Sequence, residues 1–304
     1  MGMDEKSLLR QKNSDTEHVL PPVSDLLKDE HDRSFTFTDL HGESVKLDLM
    51  EFAYQDANPL PMPIDREGYC SQEMTHRFWA TGFSDWRNVL DAQRRFLTPV
   101  EGNKKIRLLD FGCASGRLLR HALTFSPEDV EPWGCDFAPA NIQWMKRHLP
   151  KSLRSFVNTA VPHLPFEDNY FDAVTAFSVF THIGQLEEAW LLELRRITRP
   201  GGILYLTVQN DASWTRVLKR PSAFKRLKKA NEFENELTVN EELFSSAMPK
   251  PRIVFLMPGV ENYSYNVWHS NQYIKDSWGQ YFEVLDIAAN AHVNYQSVAI
   301  LRSR

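Results

Sequence analysis

Two short stretches in the middle of the chain place glycines and acidic residues where a ligand could be held. In the first, Asp110-Phe-Gly112-Cys-Ala-Ser-Gly116 follows an apolar run, and helical spacing begins at Ser115. A strand that ends in glycines at the start of a helix lets a ligand approach bare backbone, and the free amides of the first helical turn favour anionic or polar groups. A tight strand-to-helix turn that binds no ligand would have the same pattern.

The glycine spacing differs from two common phosphate-binding loops. A P-loop would have Gly-Lys-Ser/Thr, which is absent, and a dinucleotide fingerprint beginning at Gly112 would need glycines where the chain has Ala114 and Arg117. An oxidoreductase with a nicotinamide cofactor is therefore disfavoured.

An acidic residue, Asp136, follows the next apolar run, 20 residues after Gly116. A carboxylate at the tip of a second strand can accept hydrogen bonds from both hydroxyls of a ribose. The alternative is a cap for the helix that Ala138-Pro139 begins. The two stretches together are far more specific for a nucleotide-type ligand than either is alone.

Three histidines are candidate general bases, because the ordinary pKa of imidazole suits proton transfer near neutral pH. His182 follows the fourth apolar run, at the carboxyl edge where parallel sheets bind ligands. His269 precedes a helix, and His292 lies in a loop with Asn294 and Tyr295. A capping or packing role is the alternative for each. No pair of histidines with a carboxylate has metal-ligand spacing on a helix face, so we predict no metal site.

The elements around these residues alternate between strands and helices. Apolar runs at 106–111, 130–135, 153–158, 171–177 and 202–208 are separated by helical patterns at 115–125, 141–149 and 186–197, and two more strands follow at 282–287 and 295–301. Strands alternating with helices of this length indicate a parallel sheet with crossover helices.

The flanking regions divide the chain into four parts. We predict an N-terminal arm and a β-hairpin with Gly42 in its turn over 1–74, a ligand-binding core over 75–209 that starts with a helix to residue 97, a cap over 210–268 and a C-terminal completion of the sheet over 269–304. Within the cap, 210–250 has a helical pattern, and 252–256 with 263–268 forms a second hairpin. The basic run from Arg216 to Lys229 fits a solvated helix face or a positive wall for an anionic acceptor.

Composition excludes several classes of protein. The chain has 304 residues, a net charge of -5, 42% hydrophobic residues and three cysteines. This is typical of a globular protein in a reducing compartment, which predicts a cytoplasmic location without a disulfide framework. No run approaches the roughly 20 apolar residues that span a bilayer, and the charged start is not a secretory signal. Mild acidity makes nucleic acid an unlikely dedicated partner. The oligomeric state is open.

Four segments, in this order, resemble class I S-adenosylmethionine-dependent methyltransferases: LeuLeuAspPheGlyCysAlaSerGly, GlyCysAspPheAlaPro, LeuProPheGluAspAsnTyrPheAspAlaVal and ArgProGlyGly before LeuTyrLeuThrVal. The resemblance covers residues 75–209 and the two final strands. It implies an α/β, doubly wound, Rossmann-like seven-stranded sheet whose last strand is antiparallel. It also implies S-adenosyl-L-methionine as cofactor. Our leading hypothesis is in-line methyl transfer to a small-molecule or saccharide acceptor, with an oxygen, nitrogen or sulfur as the attacking atom.

The resemblance also implies roles for individual residues. Asp110, Gly112, Cys113 and Ala114 would hold the methionine part of the cofactor, and Gly116 is a further implied cofactor contact. The family usually has glycine where this chain has Ala114, and often aspartate where it has Asn158. The remaining implied cofactor contacts are Asp136 on the ribose, Phe137 on the adenine, Thr159, Ala160 and Val161 along the adenine edge, Phe177 and Ser178 near the sulfonium, and Tyr69, Trp79 and Thr81 in a leader segment that folds over the cofactor.

Two further alternatives keep the fold but change the function. A non-catalytic nucleotide-binding protein is compatible with Ala114. The presence of Asp136 and of a cap segment that could bind an acceptor argues against it. A nucleic-acid methyltransferase is weakly favoured by the basic run. It is disfavoured because methylation of base amino groups would call for an Asn/Asp-Pro-Pro-Tyr-type motif after the fourth strand, where this chain has Ser178-Val-Phe-Thr-His182.

Overall fold

The computed structural model describes residues 19–66, 75–99, 102, 105–257 and 264–304. Its strands are β1 (Ser34–Thr38), β2 (Ser44–Asp48), β3 (Ile106–Phe111), β4 (Val130–Asp136), β5 (Arg154–Val157), β6 (Phe171–Ala176), β7 (Thr198–Val208), β8 (Arg252–Leu256), β9 (Tyr265–His269), β10 (Phe282–His292) and β11 (Gln296–Ser303). Its longer helices are α1 (Thr75–Phe96), α2 (Leu119–Phe125), α3 (Pro139–His148), α4 (Glu187–Ile197), α5 (Pro221–Lys228) and α6 (Asn271–Ser277). Single α-helical turns occur at Glu30–Arg33, Met50–Ala53 and Asp211–Trp214, and 3-10 turns at Val23–Asp25, Pro63–Asp65, Val217–Lys219, Lys229–Glu232 and Trp278–Gln280.

Within the described residues, seven strands form one sheet in the order β10-β11-β7-β6-β3-β4-β5. The strands β3 to β7 are parallel, whereas β11 runs antiparallel to both of its neighbours, β7 and β10. The predicted doubly wound, Rossmann-like sheet with an antiparallel last strand is confirmed. Every residue of β6 is buried, as expected for a central parallel strand covered on both faces.

Helices cover both faces of this sheet. On one face, α1 and α2 pack through residues such as Trp86, Val89 and Ala122. On the other, α4 and α6 pack through residues such as Trp190, Leu194 and Ile274. The parallel strands therefore end together at one open edge, which is the edge where this sheet class binds ligands.

The predicted N-terminal hairpin is present as β1 paired antiparallel with β2, and Gly42 has a φ of 82° in the turn. A buried ion pair joins the segment after the hairpin to the core: Arg120 Nε donates to Asp56 Oδ2 at 2.7 Å, and both side chains are 0% exposed. Trp79 Nε1 donates to the same carboxylate oxygen at 2.8 Å.

The cap differs from the prediction in its helix content. Residues 210–250 were predicted to be helical, but only α5 and the short turns listed above are, so this prediction is wrong for 233–250. Asparagine side chains replace helical hydrogen bonds there: Asn231 accepts from Val239 N at 2.7 Å, and Asn235 accepts from Leu256 N at 2.8 Å. The predicted second hairpin is present as β8 and β9, and the cap has an apolar core of its own around Trp214, Phe255 and Trp268.

One predicted loop is largely strand. The segment 289–294 was expected to separate the last two strands, but β10 continues to His292. The turn that follows is strained, because Asn290, Val293 and Asn294 have φ values of 59°, 45° and 53°. A positive φ is rare for a β-branched residue such as Val293, and such outliers concentrate at functional sites.

Candidate active site

The loop after β3 turns sharply through three residues with positive φ: Gly112 at 76°, Ala114 at 46° and Gly116 at 80°. A Cβ on Gly112 would lie 2.4 Å from Val179 Cγ2, and one on Gly116 would lie 2.8 Å from Met145 Sδ. Gly112 therefore requires glycine for space as well as for backbone conformation, and Gly116 requires it for backbone conformation. Ala114 adopts the left-handed conformation that glycine would accept without strain.

Most amides of this loop are already paired within the protein. The amides of Gly112 and Cys113 both donate to Cys135 O at 2.9 Å, and Gly116 N donates to Cys113 O at 2.9 Å. Ala114 N donates to Asp136 Oδ2 at 2.8 Å. The expectation that free amides of the loop await a ligand is thus wrong for these four residues. The loop contributes its shape, and the Cys113 side chain is buried beneath it.

Asp136 ends β4 and is 5% exposed. Besides Ala114 N, its carboxylate accepts from Ala138 N at 2.8 Å and from Asn141 Nδ2 at 3.3 Å. The helix-capping interpretation of Asp136 is therefore observed. These contacts also fix the carboxylate at the carboxyl end of β4, the position at which the ribose was predicted to bind.

An apolar surface lies beside Asp136, at the carboxyl ends of β4 and β5. Phe137, Val157 and Val161 are 45%, 47% and 65% exposed, although their side chains are hydrophobic. Asn158, between them in sequence, has a buried Oδ1 atom without a hydrogen-bond partner. An adenine ring would cover the apolar side chains, and its amino group would supply the donor that Asn158 Oδ1 lacks. Thr159 and Ala160 are exposed at the same edge.

Asp110 lies at the end of β3 and is 3% exposed. Burial raises the pKa of this carboxyl to about 7, although Thr175 Oγ1 donates to its Oδ1 at 2.8 Å and opposes the shift. Asp85 and Asp136 add to the shift through their negative charges, and Arg117 opposes it. Asp110 is therefore an acid poised to lose its proton when a cation approaches.

Helix α1 covers the loop, but through other residues than those predicted. Trp79 is fully buried against Asp56, and Thr81 Oγ1 donates to Arg77 O at 2.7 Å within the helix, so neither side chain faces the loop. Instead Asp85 Oδ2 accepts from Arg117 Nη1 at 2.5 Å. The predicted contact from Tyr69 lies outside the described residues.

His292, at the end of β10, forms a buried dyad with the same aspartate. Its Nδ1 donates to Asp85 Oδ1 at 2.9 Å, and the two side chains are 5% and 2% exposed. Burial raises the pKa of Asp85, but His292 and Arg117 outweigh it and hold the pKa below its usual value. An ionised Asp85 fixes the His292 tautomer with its lone pair on Nε2, which is the arrangement of a general base.

The dyad lies beside the two residues predicted to be near the sulfonium. The ring of Phe177 is 5.3 Å from that of His292, and Arg117 stacks on the Phe177 ring at 5.3 Å. Ser178 has a φ of 57°, and its hydroxyl donates to Gln296 Oε1 at 3.0 Å. The carboxyl end of β6 thus joins α1, the loop after β3 and the turn after β10.

Residues 109–206 match the family model described as a methyltransferase domain. Over these residues the chain therefore carries a methyltransferase domain. The matched residues include the loop after β3, Asp136 and the end of β6, and S-adenosyl-L-methionine is the cofactor of the methyltransferases that the sequence resembles.

Curated relatives match this methyltransferase domain only over part of their length. A sterol 24-C-methyltransferase of Schizosaccharomyces pombe is 32% identical over 117 residues, which cover 34% of this chain and 29% of that protein. An uncharacterized methyltransferase of the same yeast is 35% identical over 125 residues, covering 38% of this chain and 44% of that protein. The chain spans between 26% and 47% of the length of such relatives.

Among solved structures, a Pyrococcus horikoshii protein aligns with a TM-score of 0.47 at 17% identity, covering 79% of this chain and 99% of that one.

The other two candidate bases, His182 and His269, are less suited to proton transfer. His182 Nδ1 donates to Tyr265 O at 2.8 Å, and burial lowers its pKa to about 4. His269 is 0% exposed, and its Nε2 donates to Glu187 Oε2 at 2.8 Å inside a network with Arg252, Tyr273 and Trp278. These contacts engage Nε2 of His269 in a structural network, so they favour the packing alternative over a catalytic role for this residue.

Two negative findings apply to the described residues of the chain. They contain no group of three or more His, Cys, Asp or Glu side chains arranged to hold a metal ion. They also contain no helix with the length and apolar character needed to cross a membrane.

Proposed function

We propose that the protein is an S-adenosylmethionine-dependent methyltransferase that methylates a hydroxyl group of a small-molecule or saccharide acceptor. The proposal depends on three neighbouring features: the carboxylate of Asp136, the exposed apolar surface beside it and the unpartnered Asn158 Oδ1. The carboxylate suits the ribose of an adenosine, and the other two suit its adenine. The named relatives support a small-molecule acceptor, since one is a sterol methyltransferase and another a demethylmenaquinone methyltransferase.

The cofactor, when bound, supplies a methyl group activated by a positively charged sulfur. In this proposal Asp136 accepts hydrogen bonds from the ribose hydroxyls, Asn158 Oδ1 accepts from the adenine amino group and Phe137 packs on the ring. Asp110 offsets the positive charge of the methionine part. Each role uses an atom that the structure places at the carboxyl edge of β3, β4 or β5.

The His292–Asp85 dyad is the reason for proposing a hydroxyl group as the methyl acceptor. His292 Nε2 would take the proton of the acceptor hydroxyl while that oxygen gains the methyl group and the sulfur–methyl bond of the bound cofactor breaks, with S-adenosylhomocysteine as the leaving group. Asp85 would stabilise the resulting imidazolium. The proton then leaves His292 for water. An amine or thioether acceptor would need no such base, which is why we favour a hydroxyl.

Calorimetric titration with S-adenosylhomocysteine tests the cofactor site. We expect micromolar binding to the wild type and no binding of NAD. Asp136→Asn should weaken binding about 10- to 100-fold, because it removes charge-assisted hydrogen bonds to the ribose. The matched control is Asp129→Asn, the same change just before the opposite end of β4, where affinity should stay within about twofold. Equal affinity in the Asp136 variant would remove the ribose assignment.

Turnover of His292→Gln and Asp85→Asn tests the base, using a panel of hydroxylated acceptors. Loss of a general base should lower kcat about 100-fold or more, while S-adenosylhomocysteine affinity stays near that of the wild type. The exposed His163 supplies the control variant His163→Gln. Unchanged kcat in His292→Gln, with the rising acid limb of the pH–rate profile intact, would exclude His292 as the base.

A further inference from the structure

Arginines of the cap converge on the strained turn that follows His292. Arg216 Nη1 donates to Asn294 O at 2.9 Å, and the guanidinium of Arg220 stacks on the ring of Tyr295 at 4.4 Å. Arg226, in α5, is close enough to both Tyr295 and His182 for its charge to affect them. Part of the charge of the basic run, for which the sequence allowed a solvated face or a positive wall, is thus directed at the edge of the candidate active site.

This positive charge is not neutralised by neighbouring acids. Among the described residues, no basic side chain between 216 and 229 forms an ion pair, although five acidic residues follow within the next thirteen positions. By contrast, the arginines at 117, 120, 196, 199 and 252 all pair with carboxylates. Both Arg220 and Arg226 are exposed, and the charged groups that influence Tyr295 are these two arginines.

Tyr295 adds an unused hydrogen-bond donor at this place. Its side chain is 7% exposed, and its hydroxyl oxygen is buried without a hydrogen-bond partner. A buried hydroxyl without a partner is costly, and an anionic oxygen would satisfy it. Tyr295 also directly precedes Gln296, which bonds to Ser178 at the carboxyl end of β6. The cationic group therefore lies next to the position where the acceptor must meet the methyl group.

We infer that the acceptor carries an anionic group, a phosphate or a carboxylate, which Arg220 and Arg226 bind together with the Tyr295 hydroxyl. This inference rests on the proposed function, since it calls the bound molecule the acceptor. Two unpaired cations and a free donor favour a compact anion, because guanidinium groups bind phosphate and carboxylate oxygens in a bidentate manner. An extended polyanion such as RNA is the competing occupant.

Calorimetric titration of the full chain with inorganic pyrophosphate and, separately, with citrate at low ionic strength tests the inference. We expect one of the two anions to bind, and that result distinguishes a phosphate from a carboxylate. The Arg220→Ala/Arg226→Ala variant should weaken binding about tenfold or more, and Tyr295→Phe about threefold. The matched control, Lys219→Ala/Lys225→Ala, removes the same charge from the same segment and should change affinity less than about twofold.

Three outcomes would overturn the inference. These are no binding of either anion, equal loss in the lysine and arginine variants, and tighter binding of a single-stranded RNA decamer whose salt dependence indicates several phosphate contacts. S-adenosylhomocysteine is titrated into the same variants and should bind equally to all of them. Absence of that binding in the wild type would refute the proposed function, whatever the result with the anions.

Discussion

Four charged side chains, those of Asp85, Asp110, Arg117 and Asp136, influence one another at the carboxyl ends of β3 and β4. Asp85 is held ionised by Arg117 and His292, whereas burial raises the pKa of Asp110 to about 7. Neighbouring carboxylates with such different pKa values can have different roles. Asp85 stays charged near neutral pH, whereas Asp110 can exchange a proton. The proton on Asp110 is therefore the one that responds to a bound cation.

Cofactor binding should release a proton from Asp110. With its pKa raised to about 7, this carboxyl is partly protonated in the free protein near neutral pH, and the positively charged methionine part favours the ionised form. Titration with S-adenosylmethionine should therefore release a fraction of a proton, and affinity should rise as pH increases through 7. The check is calorimetry in phosphate and in Tris, whose ionisation enthalpies differ. Asp110→Asn should remove the buffer dependence, and buffer-independent heats in the wild type would contradict the prediction.

The positions of single residues were predicted well where the backbone decides them. Gly112, Gly116 and Asp136 lie at or just after strand ends, and strand ends can be recognised from apolar runs in the sequence. The contact of Asp85 with His292 could not be predicted, because it depends on the direction in which a helical side chain points. The same holds for His269, whose ring lies in the Glu187 network.

At the scale of elements, α1 is pressed unusually close to the segment after β3. The contact is made at Gly82, where a Cβ would lie 2.3 Å from Arg117 O and 2.8 Å from His121 Nε2. The nearest atom belongs to the backbone, so it cannot move aside cheaply. This close approach is what brings Asp85 to Arg117 and sets the position of the dyad.

Gly82→Ala should force α1 away from the cofactor loop. We expect the free energy of unfolding to fall by about 1–3 kcal/mol through overpacking, and S-adenosylhomocysteine affinity to fall with it. The control is Gly279→Ala, where the added methyl would meet only Val284 Cγ2 at 3.8 Å. Urea unfolding and calorimetry measure the two effects. A stability equal to that of Gly279→Ala would show that the helix can shift freely.

The central elements were predicted because each buried strand is a nearly continuous apolar run. In β6 and β7 hydrophobicity and β-propensity agree, so sequence and structure coincide to within a few residues. The cap was harder because its backbone is held by Asn231 and Asn235 rather than by a regular ladder. Such side-chain bonds depend on contacts between distant parts of the chain, which periodicity does not reveal.

At the scale of the whole molecule, two buried carboxylates join the outer parts to the core. Asp56 ties the N-terminal segment to α2 through Arg120, and Glu187 ties the cap hairpin to α4 through Arg252 and His269. Burial alone would raise the pKa of each, but these partners outweigh it and lower both values to about 2.

Lowering the pH should therefore weaken both ion-pair attachments and decrease the free energy of unfolding. The ordinary pKa values are 3.8 and 4.5, so the stability from these groups is complete above about pH 5 and is lost as pH falls towards 2. Urea unfolding at pH 7, 4 and 3 measures the slope. Asp56→Asn and Glu187→Gln should be less stable at pH 7 and less sensitive to acid, whereas Glu283→Gln, at an exposed ion pair, should match the wild type. Parallel slopes in all four proteins would contradict the assignment.

The place of β11 has a consequence for how the protein is made. This strand follows all of its sheet partners in the chain, yet it lies between β7 and β10. On the ribosome, β7 and β10 therefore each present an open strand edge until β11 emerges, and such edges invite pairing with other chains. The carboxyl edge of β3 to β5 can be assembled during that interval. Because His292 pairs with Gln296 of β11, we expect the surroundings of His292 to form after that edge.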